Sequence, residues 1–168
     1  MSYYNNNTVP DHYTDGILRG GSYESNYTTR RAVPAPLTVT FVTKNLTATN
    51  ATVKVRVTLE ENLPAGHDIY IALWEDKVVV GGTYGSTAVR VLERDLATTT
   101  LTITNANQSQ EFEHVFTVQA GWVAGNLGVT AWVQGPNTDR EVHNATAAKF
   151  LEAAVAPASL GRVKALFN

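Results

Sequence analysis

Hydrophobic and polar residues alternate along most of this chain with a period of two. Leu37, Val39 and Phe41 are separated by Thr38 and Thr40, and Val53, Val55, Val57 and Leu59 by Lys54, Arg56 and Thr58. Such alternation puts one face of an extended strand in a core and the other in water. Two antiparallel strands follow, joined through Asn45 to Asn50. Glu61 to Gly66, with Pro64 inside it, reads as a loop leading into a strand that carries Ile69, Ile71 and Leu73. Glu75-Asp76 then turns the chain into Lys77 to Val80, and the glycines at 81, 82 and 85 close that unit.

Val89 and Val91 mark a strand around Ser86 to Asp95, and Leu101 and Ile103, flanked by Thr100, Thr102 and Thr104, mark the next. Phe112, Phe116 and Val118 mark another, with Asn105 to Gln108 as the hairpin between these last two. Leu127, Val129, Ala131 and Val133 alternate again, and Gly135 to Asp139 turns the chain towards a last strand over Glu141 to Thr146. About eight or nine short strands at regular turn spacing predict an all-β, immunoglobulin-like antiparallel sandwich. Its expected core contains Val55, Ile71, Leu101, Phe116 and Val129.

The pattern also divides the chain. Residues 34–168 carry the sandwich, entered through the stiff Pro34-Ala35-Pro36 spacer. Residues 1–33 are polar and rich in Tyr and Asn, with turn signals at Asp15-Gly16 and Gly20-Gly21 and no sustained periodicity, so they read as an N-terminal arm. Only the short C-terminal segment hints at helix, over Ala147 to Val155 and Leu160 to Phe167, with extended packing of Val163 and Phe167 against the sandwich as the alternative.

Composition agrees with the strands, since 22 Thr and many Val accompany a single Met. A net charge of −2, from 13 basic and 15 acidic residues, gives no electrostatic reason to expect nucleic acid or an anionic membrane surface. The absence of Cys excludes disulfides, thiolate nucleophiles and Cys-ligated zinc. No run approaches the roughly 20 apolar residues of a membrane-spanning helix. Sequons at Asn6, Asn26, Asn45, Asn50, Asn107 and Asn144 offer glycan acceptors if the chain is exported.

Candidate chemistry is sparse. His114 falls between Phe112 and Phe116 and reads as a buried, hydrogen-bonded core histidine, while His67 and His143 are two groups that the fold could bring together. Glu111 and Glu113 alternate with apolar neighbours and belong on a solvated face; Glu75-Asp76 reads as a turn pair with a minor capacity for calcium. There is no Gly-x-Ser-x-Gly elbow, no phosphate-binding loop and no cofactor motif, so no enzyme activity is expected. Trp74, Trp122 and Trp132 would build a carbohydrate platform if they converged on one outer face. Trp132 alternates with Leu127, Val129, Ala131 and Val133 in such a way that it points away from the core.

Leu73-Trp74-Glu75-Asp76, Ala88-Val89-Arg90, Phe116, Trp122, Asn126-Leu127, Ala131-Trp132-Val133-Gln134, Glu141-Val142 and Asn144-Ala145 stand in an order and spacing that resemble the C-terminal β-domain of Omp28-related, thioredoxin-linked proteins of bacterial envelopes. Tyr3-Tyr4, Val9-Pro10, Asp15-Gly16 and Gly20-Gly21 look like the last third of the thioredoxin-like part of such proteins. The redox cysteines of that part have no counterpart here, so oxidoreductase activity is not carried over; Ser86-Thr87 also lacks the histidine expected before Arg90. The resemblance implies an extracellular or cell-envelope module.

Three functional expectations follow. The first is a non-enzymatic structural module that associates with its own copies through the arm or through open strand edges, with Tyr3, Tyr4, Tyr13, Tyr23 and Tyr27 supplying contact surface. The second is a ligand-binding sandwich, for carbohydrate or peptide, that uses Trp132. An accessory domain of a truncated thioredoxin-like protein is the third reading.

Overall fold

The computed structural model of the chain describes residues 13–18, 22–82, 85–89, 91–136 and 140–151. In chain order the elements are β1 (Tyr13–Thr14), β2 (Ile17–Leu18), helix α1 (Tyr23–Arg31), β3 (Leu37–Leu46), β4 (Asn50–Leu59), β5 (Asp68–Glu75), β6 (Val78–Gly82), β7 (Gly85–Val89), β8 (Leu92–Thr100), β9 (Ser109–Thr117), β10 (Leu127–Gln134) and β11 (Val142–Lys149). Two antiparallel sheets face each other, one in the order β3-β4-β9 and the other β11-β10-β5-β8. This is the expected all-β sandwich.

The period of two sets which side chains meet between the sheets. Val53, Val55, Val57 and Leu59 from β4 are fully buried, as are Leu127, Val129, Ala131 and Val133 from β10. Ile69, Ile71 and Leu73 of β5, Leu37 and Val39 of β3, and Phe112 and Phe116 of β9 complete the layer. All five residues expected at the centre, Val55, Ile71, Leu101, Phe116 and Val129, are there. On the outer side of the three-stranded sheet, Arg56 pairs with Glu111 and Lys54 with Glu113 across β4 and β9, so the two glutamates do lie on a solvated face. At one margin the sheets are laced together, because the Asn144 amide donates to the Leu37 carbonyl and Lys44 Nζ to the Lys149 carbonyl.

Several elements differ from the sequence-based expectation. The strand read around Leu101 and Ile103 is the crossing from β8 to β9. Leu101 is buried and its N–H donates to the His67 carbonyl, but the N–H groups of Thr102 and Thr104 donate to the side-chain oxygens of Gln110 and Gln108 instead of to a neighbouring strand. Asn105 to Gln108 therefore turns the chain between sheets and closes no hairpin; β8 pairs with β5, and β9 with β4. The strand read over Ser86 to Asp95 is two, β7 and β8. β6 and β7 pair only with each other among the described residues, and they continue the β5–β8 pairing as a two-stranded ribbon beyond the sheet.

Glu75 is the last residue of β5 and is buried, because it keeps the inward phase of Ile69, Ile71 and Leu73. Its carboxylate accepts from Arg94 Nη2 at 2.6 Å, Arg94 Nε at 3.0 Å and the Val123 N–H at 2.8 Å, and Arg94 lies over the Trp122 ring. It forms a buried ion pair with Arg94, where the sequence suggested a turn pair with a minor capacity for calcium. The helix expected from Ala147 is contradicted as far as it can be seen: Ala147 to Lys149 belong to β11, paired with Gly128 to Thr130. The rest of that expectation lies outside the described residues.

The arm contains helix α1, which its polar sequence had concealed. Ser22 caps it by accepting the Ser25 N–H, Glu24 sits in the first turn, and Arg30 and Arg31 in the last, each favourable to the helix dipole. Before it, Asp15 and Gly16 have positive φ, as a two-residue hairpin turn between β1 and β2 requires. This hairpin docks on the β10–β11 end of the same chain. The Val142 N–H donates to the Asp15 carbonyl, and Gly16 approaches the Arg140 carbonyl so closely that a Cβ there would lie 2.0 Å from its oxygen. Arg30 clasps the joint by pairing with both Asp15 and Glu141. Burial alone would lower the pKa of this guanidinium, but its hydrogen bonds to Asp15 and Glu141 and their charges outweigh that, and the pKa is raised.

Candidate functional site

The outward phases of β5 and β10 build one surface. Along β5 these positions are Asp68, Tyr70, Ala72 and Trp74; opposite them on β10, in register, stand Gln134, Trp132, Thr130 and Gly128. Leu96, Thr98 and Thr100 of β8 extend the surface on one side, and Ala145, Ala147 and Lys149 of β11 on the other. Both central strands are paired on both edges, so their backbones are rigid and saturated.

Two aromatic ridges rise from this face. Tyr70 and Trp132, directly opposite each other, stack with centroids 5.1 Å apart and planes inclined by 8°. Trp132 Nε1 donates to Gln134 Oε1, and Gln134 Nε2 donates onward to the Arg140 carbonyl, which ties the ridge to the turn on which the arm docks. The second ridge is Trp74, whose indole N–H donates to Thr130 Oγ1 at 3.1 Å. Its ring covers Gly128, where a Cβ would come within 2.2 Å of Cζ2 and 2.3 Å of Cη2, so only glycine permits this pose. Tyr70 and Trp74 are four residues apart on one strand, which sets the ridges about 13 Å apart. Between them the floor is low, formed by Ala72, Thr130 and Ala147. The result is a shallow saddle with aromatic walls and threonine hydroxyls, all three large aromatics half-buried and none facing the core.

Of the three tryptophans, two converge on this face. Trp122 does not: it packs against the core beneath Arg94. Among the tyrosines expected to make contacts, Tyr23 and Tyr27 are 69% and 50% exposed, one turn apart on α1, and far in sequence from the Trp132 strand. Tyr3 and Tyr4 lie outside the described residues, as does the Tyr13 side chain. Tyr70 was not singled out from sequence, although its alternation with Ile69 and Ile71 carries the signal.

The histidines fall out differently from one another. His114 shares the inward side of β9 but is half-exposed and set edge-on to Phe116, because its strand lies at the margin of the sheet. His67 and His143 do meet, with ring centroids 4.8 Å apart. Among the sequons, Asn45, Asn50 and Asn107 are exposed, Asn26 is half-buried on α1, and Asn6 is outside the described residues. Asn144 is a poor acceptor, since its amide nitrogen donates to Leu37 and its oxygen accepts the Ala145 N–H. Among the described residues, no group of three or more His, Asp or Glu side chains could hold a metal ion, and no helix is long and apolar enough to cross a membrane.

The fold defines an immunoglobulin-like sandwich with four strands in one sheet and three in the other. No protein-family model matches the sequence, and neither does any curated protein sequence. Solved structures do match. HBP35 of Porphyromonas gingivalis is similar with a TM-score of 0.56 at 14% identity over 85% of this chain, which spans 53% of HBP35; that likeness is one of fold. A domain of the outer membrane lipoprotein Omp28 from the same organism matches 68% of this chain and 88% of its own at 19% identity. Its TM-score of 0.43 is too low to carry an argument, as is the 0.37 of a β-glucosidase from Kluyveromyces marxianus at 8% identity. The thioredoxin-like remnant gains no support from these likenesses.

Proposed function

We propose that this chain is a non-enzymatic module of an exported or cell-envelope protein, and that it works by binding saccharide on the saddle between Trp74 and the Tyr70–Trp132 stack. The observation that carries the reading is the convergence of these rings on one half-exposed sheet face. Aromatic faces of this kind take up the apolar C–H side of a ring-shaped ligand, while Thr98, Thr100 and Thr130 offer hydroxyls to its polar rim. Peptide is the weaker fit, because strand addition needs an unpaired edge and β5 and β10 have none. The envelope setting rests on the sequence resemblance to Omp28-related proteins of bacterial envelopes.

A glycan array probed with the full chain tests the proposal, followed by titration of tryptophan fluorescence with any hit. Trp132→Ala and Trp74→Ala are each expected to weaken binding at least tenfold without unfolding the sandwich. An array that stays blank, or binding that survives both substitutions, refutes it.

A second reading, self-association through the arm, is favoured by Tyr23 and Tyr27, two large aromatics of α1 that are 69% and 50% exposed. Light scattering of the Tyr23→Ser/Tyr27→Ser variant beside the parent decides it: a fall in particle mass supports the reading, and a monomeric parent removes it.

A further inference from the structure

His67, in the loop before β5, and His143, on β11, meet near the place where the arm docks on the sandwich. His67 ends the loop before β5, in which Gly66 has φ +98°, and only 4% of it is exposed. His143 lies near the start of β11, just after Glu141, which holds Arg30, and Val142, whose N–H binds Asp15. The two rings are inclined by 47° with centroids 4.8 Å apart. This pair plays no part in the saddle described above.

We propose that His67 and His143 form a two-imidazole site for a divalent transition ion of the Zn²⁺, Ni²⁺ or Cu²⁺ class. Three observations carry this. The first is spacing. A metal sits about 2.0–2.1 Å from a ligating imidazole nitrogen, and so roughly 3.2 Å from the ring centroid. Two such rings on one ion, at a ligand angle near 100°, have centroids about 5 Å apart. The observed separation matches.

The second is the tautomer. His67 Nδ1 lies 2.7 Å from the Pro64 carbonyl oxygen. A carbonyl can only accept, so Nδ1 carries the proton, and in the neutral ring Nε2 keeps its lone pair. A histidine that donates its far nitrogen to a backbone carbonyl is the usual outer support of a metal ligand, since it fixes both ring orientation and the ligating nitrogen. The third is placement. His67 is buried at the end of the loop before β5 and held there by its bond to Pro64, so little side-chain entropy is lost on binding, and His143 stands half-buried beside it. Water completes the coordination, because no third His, Asp or Glu joins the pair among the described residues. Imidazole nitrogens with open positions favour the later first-row ions over Mg²⁺ or Ca²⁺.

Occupancy would tie the loop before β5 to the start of β11, and so brace the ground on which the arm docks. The test is isothermal titration of the tag-free full chain with ZnCl₂, NiCl₂ or CuSO₄, each in a non-chelating buffer, beside His143→Gln and His67→Gln. The expected result is one saturable ion per chain, with a rise in melting temperature, and at least a tenfold loss of affinity in either variant. As His67→Gln disturbs a buried side chain and its bond to Pro64, imidazole ¹⁵N spectra of the unsubstituted protein give an independent reading. Zn²⁺ should move the resonances of His67 and His143 and leave those of His114 in place. No binding of any of the three ions overturns the proposal. So do binding undiminished in His143→Gln and a response centred on His12 or His114.

Discussion

Arg94→Met is the sharpest test of how the open end of the sandwich is closed. Glu75 is 3% exposed, and its carboxylate accepts two hydrogen bonds from Arg94 and one from the Val123 N–H. Removing the guanidinium leaves a buried carboxylate with a single donor. Breaking a buried pair in this way costs about 3–5 kcal/mol. The Arg94 side chain is 22% exposed, so water reaches part of the site and the lower figure, about 3 kcal/mol, applies. For a domain of this size each kcal/mol lowers the melting temperature by about 2–4 °C, so a fall of roughly 6–12 °C is expected. Glu75→Leu combined with Arg94→Met removes the stranded charge as well and leaves only the Val123 N–H unpaired, a cost of about 1–3 kcal/mol. The double variant should therefore melt above the Arg94→Met single. Scanning calorimetry of the parent, both singles and the double completes the cycle. If Arg94→Met loses less than about 1 kcal/mol, or the two changes add with no coupling, the pair does not close the sandwich as argued.

Three further outcomes are expected. Phe116→Ala empties the centre of the core and should cost about 3–5 kcal/mol in a urea titration, whereas Val115→Ala on the opposite face should stay within about 0.5 kcal/mol. Gly128→Ala drives a methyl into the Trp74 ring, so it should shift the tryptophan emission spectrum and cost about 1–3 kcal/mol, an effect that Trp74→Ala in the same chain should largely relieve. Arg30→Met removes the clasp between Asp15 and Glu141, and hydrogen exchange should then accelerate over residues 13–31 while β4, β5 and β10 keep their protection.

Much of the fold was legible because a two-residue period assigns each side chain to a face without reference to any partner. That is why Val55, Ile71, Phe116 and Val129 fell into the core as expected, and why Trp132 came out on the far side. What the period cannot supply is the neighbour. Thr100 to Thr104 alternates like a strand, yet its polar atoms are met by Gln108 and Gln110, glutamines whose reach only the turn geometry reveals. Glu75 keeps the inward phase, but a charge there makes sense only beside Arg94, 19 residues away. The saddle needed the register of β5 on β10 to bring Tyr70 opposite Trp132. Helix α1 was hidden for another reason: none of its residues is buried, so no apolar stripe exists, and its cap at Ser22 and its charge order were the only signals.

The ribbon of β6 and β7 bears on the order in which the sandwich assembles. Its tip joins strands that pair from Gly82 and Gly85 outward, and the same antiparallel run continues into β5 and β8. This half of the large sheet can zip from one end with little loop to close. The pairing of β4 with β9 must bring together residues such as Thr58 and Ser109, 51 positions apart. Each doubling of a closing loop adds about 0.6 kcal/mol, and that separation is roughly four doublings beyond a hairpin tip. By this reasoning the long hairpin is expected to form before the β4–β9 pairing. Substitutions within it should slow folding, while substitutions in β9 chiefly hasten unfolding, a partition that chevron measurements on Ile71→Val and Phe112→Leu would read directly.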